Sequence, residues 1–144
     1  MLRRLSPKSQ QIIDQAQVIA RRYEQEYVDT EHVLLAIAEK NDNRATRALE
    51  QCGASADKIR KKVEKFVKKG QQEIFVLGRL PATLHFKNVI ARALEIAEKR
   101  GAAAIEPEHL LLSLSAEDGS LASQALGSLG VDTAKLEGAL PAGK

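Results

Sequence analysis

Residues 28–35 read VDTEHVLL, and residues 105–112 read IEPEHLLL. The same Glu-His pair stands in front of an apolar run at two places 77 residues apart. The match extends well beyond the motif. At that offset Ile13, Ala16, Ile19 and Ala20 meet Ile90, Ala93, Ile96 and Ala97. Glu31, His32, Leu34 and Leu35 meet Glu108, His109, Leu111 and Leu112. Ala45, Ala48, Leu49 and Gly53 meet Ala122, Ala125, Leu126 and Gly130. These twelve identities fall at helical spacings, without a gap, across residues 12–53 and 89–130. The chain is therefore an internal duplication, with a period too long for a common short-repeat solenoid.

Each unit reads as four helices. In the first, Ile12, Ile13, Ala16, Ile19, Ala20 and Tyr23 share one stripe. Ser6 before Pro7 is an N-cap followed by proline at the first helical position. Asp29 or Thr30 opens a second helix, which the NDN at 41–43 ends. A third runs to about Cys52, with Gly53 as its stop. Ser55 or Asp57 opens a fourth, with Ile59, Val63, Phe66 and Val67 opposite its lysines. In the second unit Thr83 matches Ser6 as a cap, and helices are expected near 84–100, 107–116, 120–129 and 133–140. The expectation is an all-α, pseudo-twofold bundle of about eight helices. Repeat one is placed at 5–69, a connecting segment at 70–82 and repeat two at 83–140, within one domain.

Composition narrows the function classes. The chain has 144 residues, 44% hydrophobic and 28% charged, as expected of a globular domain. No apolar stretch approaches the ~20 residues of a membrane span, and no signal-peptide core follows the N-terminal arginines. The single Cys52 excludes an internal disulfide and fits a reducing compartment, so a cytoplasmic location is expected. Its match is Leu129, which marks it as a buried apolar position rather than a nucleophile. The net charge of +3 is concentrated in residues 57–69, DKIRKKVEKFVKK. Such a run is either a solvated helix face or a nucleic-acid surface made by Lys58, Arg60, Lys61, Lys62, Lys65, Lys68 and Lys69. Few aromatic residues, and no matching basic helix in repeat two, count against the second reading.

The Glu-His pairs invite a catalytic or metal reading. Adjacent residues on a helix point about 100° apart, unlike the i, i+4 ligands of a zinc helix, so no metal is expected. Each histidine is expected to lie against its helix start and bond a backbone group or a neighbouring helix. There is no Walker A loop and no Ser-His-Asp arrangement, so no enzyme activity and no cofactor are expected of this chain. Glu31 and Glu108 sit in first helical turns, where the helix dipole favours a carboxylate by ~0.3–1 kcal/mol.

With DTEHVLLAIAE, EPEHLLLSLSAE, ATRALEQCGAS and ASQALGSLGVD all in register, the sequence resembles the Clp amino-terminal domain. This is the double-repeat module at the front of Hsp100 unfoldases of the ClpA, ClpB and ClpC type. The resemblance covers Leu5 to about Leu140. It implies a non-catalytic domain that receives unfolded or marked substrates, or adaptor proteins, and passes them to an AAA+ ring. A stand-alone adaptor-like relative is the alternative, and the isolated domain is expected to be monomeric. In the ClpC branch the resemblance further implies recognition of phosphorylated arginine. Carried over by motif position, Glu31 and Glu108 would contact the guanidinium. The exposed N–H groups at the Ser6 and Thr83 caps suit the phosphate. The family's glycine before T-E-H is here Asp29 and Glu106, and its threonine is Pro107 in repeat two. Those extra carboxylates disfavour a phosphate nearby. The family's apolar binding surface points to Phe75, Val76, Leu77 and Phe86, which would otherwise cover the junction between repeats.

Overall fold

The computed structural model describes residues 5–66 and 82–141. Eight helices occupy them: α1 (Pro7–Arg22), α2 (Thr30–Glu39), α3 (Arg44–Gln51), α4 (Ala56–Phe66), α5 (Leu84–Lys99), α6 (Pro107–Ala116), α7 (Leu121–Ser128) and α8 (Thr133–Ala139). The all-α duplicated architecture expected from the 77-residue register is the one observed. Phe75, Val76, Leu77, Val67, Lys68 and Lys69 lie outside the described residues.

The two motif helices form the centre. Every residue of α2 from Thr30 to Ala38, and of α6 from Pro107 to Leu114, is buried. A helix buried on all sides needs side chains that are apolar or fully hydrogen-bonded. VLLAIA is apolar throughout, and in LLLSL the one polar group, Ser113 Oγ, donates to Val89 O at 2.7 Å. Helix α1 covers α2 with Ile12, Ile13, Ala16, Ile19 and Ala20, and α5 covers α6 with Val89, Ile90, Ala93 and Ala97. Helix α4 packs on α2 and α7 with Ile59 and Val63 buried, leaving Lys58, Arg60, Lys61 and Lys65 exposed. Cys52 departs from expectation. It is half-buried at the C-cap of α3, packed against the core rather than sealed inside it.

The stops of α3 and α7 show the duplication at the level of single bonds. Gly53 and Gly130 have φ of 82° and 78°, the left-handed conformation that glycine adopts without strain. Gly53 N–H donates to Glu50 O at 3.0 Å and Ala54 N–H to Leu49 O at 2.8 Å. Gly130 and Val131 repeat this onto Gly127 O and Leu126 O at 3.0 and 2.9 Å. Both are Schellman closures, which satisfy carbonyls that the helix end leaves unpaired.

The repeats are stitched by exchange. Ser6 N–H donates to Ile105 O at 3.0 Å, and Thr83 N–H donates to Val28 O at 3.1 Å. Ser9 Oγ adds a second bond to Ile105 O at 2.7 Å. Each cap that opens a repeat is thereby tied to the residues that precede the other repeat's Glu-His motif.

Candidate functional site

The histidines explain half of the motif. Each stands third in its helix, and its Nδ1 accepts from the N-cap backbone: Asp29 N–H to His32 at 2.9 Å, Glu106 N–H to His109 at 2.8 Å. This is a capping box with imidazole in the place usually taken by Glu or Gln. The acceptor role requires an unprotonated Nδ1. Burial enforces that, taking His32 down to about 4 and His109 below its ordinary value. Among the described residues, no group of three or more His, Cys, Asp and Glu is placed to hold a metal ion.

The two glutamates have unequal surroundings. Glu31 is 3% exposed, and its Oε1 has no hydrogen-bond partner among the described residues. Burial, with the Asp29 carboxylate beside it, pushes its pKa up to about 7. Thr83 reaches this end of the molecule: its Oγ1 donates to Asp29 Oδ1 at 2.6 Å and accepts from Phe86 N–H at 3.1 Å. Phe86 itself is partly buried and packs against the core. Nearby, Glu117 is held by His85, Asn88 and Arg92 at 2.7, 3.0 and 2.9 Å. Burial alone would raise its pKa, but these three donors outweigh it and hold the carboxyl below its ordinary range.

Glu108 instead fronts a cavity of about 550 Å³. Lys8, Arg44, Arg47 and Arg100 line it together with Glu106 and Glu108. Arg44 Nη1 lies 3.3 Å from Glu108 Oε2. Arg100 Nη1 donates to Leu140 O at 2.8 Å, and Lys8 donates to the Asp42 carbonyl. With His109 neutral, four cations face two carboxylates. The caps are brought close to the motifs but do not line this cavity. Ser6 spends its N–H on Ile105 and its Oγ on Ser9 N–H at 3.2 Å. It is Lys8, two residues further on, that reaches the cavity.

None of the four cations was singled out from the sequence as a site residue. They come from the first turn of α1, the start of α3 and the C-cap of α5, so no run of sequence displays them. One signal was available. At the 77-residue offset Lys8, Arg44, Arg47 and Arg100 match His85, Leu121, Gln124 and Tyr23. Among these matched positions positive charge gathers around Glu108 and not around Glu31, and a duplicated protein that breaks its own symmetry there marks the place.

The chain belongs to the Clp N-terminal repeat family. The family profile described as the Clp repeat (R) N-terminal domain matches it twice, at residues 4–84 and 81–142. The negative regulator of genetic competence ClpC/MecB of Bacillus subtilis (strain 168) is 31% identical over 139 residues, covering 94% of this chain. The chloroplastic chaperone protein ClpC1 of Oryza sativa subsp. japonica is 35% identical over 132 residues, covering 92% of this chain. The chain spans 16% and 14% of the lengths of these two relatives. Among solved structures, the Hsp104 N-terminal domain of Candida albicans superposes with a TM-score of 0.79 at 14% identity, covering 97% of this chain and 93% of that one. A ClpV N-domain in complex with VipB peptide superposes with a TM-score of 0.74 at 15% identity, covering 96% and 87%. These two likenesses establish the fold.

Proposed function

We propose that this chain is a receiving domain of a Clp/Hsp100 system, binding protein segments or adaptors for an AAA+ unfolding ring and doing no chemistry itself. The ring would lie in the same chain or in a separate one, in a reducing, cytoplasm-like compartment. No helix among the described residues is long and apolar enough to cross a membrane. Within that role, the ligand is an arginine side chain carrying a phosphoryl group. One observation carries the reading: a buried carboxylate, Glu108, opens onto a cavity otherwise rich in cations. A phosphorylated guanidinium needs such a pair of opposite surfaces. Glu108 would accept from the guanidinium, and Lys8, Arg47 and Arg100 would neutralise the phosphate. The like-charge repulsion expected from Glu106 is outweighed by these cations. Glu31, which is buried and does not line this cavity, is assigned a lesser part.

Calorimetry with phosphoarginine on the wild type, Glu108→Ala and Glu31→Ala is the test. Heat with the wild type, lost in Glu108→Ala and largely kept in Glu31→Ala, supports the assignment. No heat with the wild type removes phosphoarginine as the ligand.

A further inference from the structure

Glu108 already holds a guanidinium. Arg44 Nη1 sits 3.3 Å from Glu108 Oε2, with side-chain exposures of 35% and 10%. Its other terminal nitrogen lies 3.5 Å from Pro141 O. Arg44 is the first residue of α3. The helix fixes its backbone while its long side chain can leave Glu108 without disturbing the α3 hydrogen bonds. The matching residue in the other repeat is Leu121, at the start of α7. Leu121 adjoins Ala122, whose N–H donates to Thr30 Oγ1 at 3.3 Å beside Glu31. The first motif therefore has a leucine where the second has a competing cation.

We infer that Arg44 is an internal substitute ligand that makes the Glu108 site selective for phosphorylated over plain arginine. The inference rests on the function proposed above. An incoming guanidinium must displace Arg44 from Glu108. A plain arginine brings no anion in return, so the displaced cation gives up its contact with the Glu108 carboxylate uncompensated. A phosphoarginine brings an anion within reach of Arg44, which exchanges one charged partner for another. The same residue thus opposes one ligand and assists the other.

The experiment measures the affinities of N-acetyl-arginine amide and phosphoarginine for the 144-residue chain and for Arg44→Leu. The leucine copies the matching residue of the first repeat. Arg44→Gln, which keeps a polar side chain, serves as a second variant should the leucine impair folding. For each variant plain arginine is expected to bind about fivefold tighter and phosphoarginine about fivefold weaker, each factor equivalent to about 1 kcal/mol. The gain for plain arginine should vanish when Glu108→Gln is present as well. A structural defect would weaken both ligands together. Affinities that move in the same direction, or do not move, overturn the inference while leaving phosphoarginine binding in place. Absence of phosphoarginine binding to the wild type sinks the proposed ligand and this inference with it.

Discussion

Replacing Glu31 with glutamine tests the electrostatics at the heart of the motif. A carboxyl whose folded pKa is raised from 4.5 to about 7 holds its proton longer in the folded chain than in the unfolded one. Between those values the folded state binds more protons, so its stability falls as pH rises. At about 1.4 kcal/mol per pH unit, the cost of ionising Glu31 reaches about 3 kcal/mol by pH 8. Glu31→Gln removes that cost but places an amide where Oε1 has no partner, at about 1 kcal/mol. The variant should be about 2 kcal/mol more stable than wild type at pH 8 and about 1 kcal/mol less stable at pH 4.5. His32 acts in the opposite sense. Its folded pKa of about 4 lies below the ordinary 6.5, so stability is lost as pH falls through that window. In the wild type the two slopes oppose each other between pH 4.5 and 6.5. In the variant His32 acts without that opposition, and stability should climb with pH. Urea unfolding followed by circular dichroism across pH 4.5–8 reads both effects. A stability difference between variant and wild type that is the same at pH 4.5 and pH 8 refutes the reasoning.

Further outcomes follow from single contacts. Glu24 closes α1 with φ of 59°, where the matching Gly101 has 73°; Glu24→Gly should raise stability by about 0.5–1 kcal/mol in urea unfolding. Leu111 is fully buried in α6, and Leu111→Ala should cost about 2–5 kcal/mol, visible in the same assay. Ser9→Ala removes the 2.7 Å bond to Ile105 O between the repeats and should cost about 1 kcal/mol. Because Glu117 is held below its ordinary range, its contribution is present at neutral pH and lost as pH falls through the folded value. Glu117→Gln should therefore destabilise the chain at pH 7 and matter less at the acid end of an unfolding series.

The fold was legible because the sequence states it twice. Ile13 with Ile90, Ala16 with Ala93 and Gly53 with Gly130 are matched positions in matched helices, and two copies in register leave little room for chance. The role of the histidines was legible in outline, since a residue just inside a helix start bonds backbone there. The cavity was hidden for a physical reason. Its charge is assembled across helices, from Lys8 of α1, Arg44 and Arg47 of α3 and Arg100 at the end of α5, so no single run of sequence displays it. The conspicuous basic run at 57–69 drew attention elsewhere, and on α4 its described lysines form the solvated outer face of an amphipathic helix. Glu108 was singled out from the motif, but neither the cations around it nor the Arg44 pairing could be read from spacing.

The most direct measurement is a two-dimensional amide NMR titration of the chain with a peptide bearing one phosphoarginine. Saturable shifts should gather at Glu108 and His109, at Arg44 and Ala45, and at Gly101 and Ala102. All six positions line or adjoin the cavity. Shifts confined to the lysine face of α4, or none that saturate, would contradict the assignment of this cavity as the receiving site.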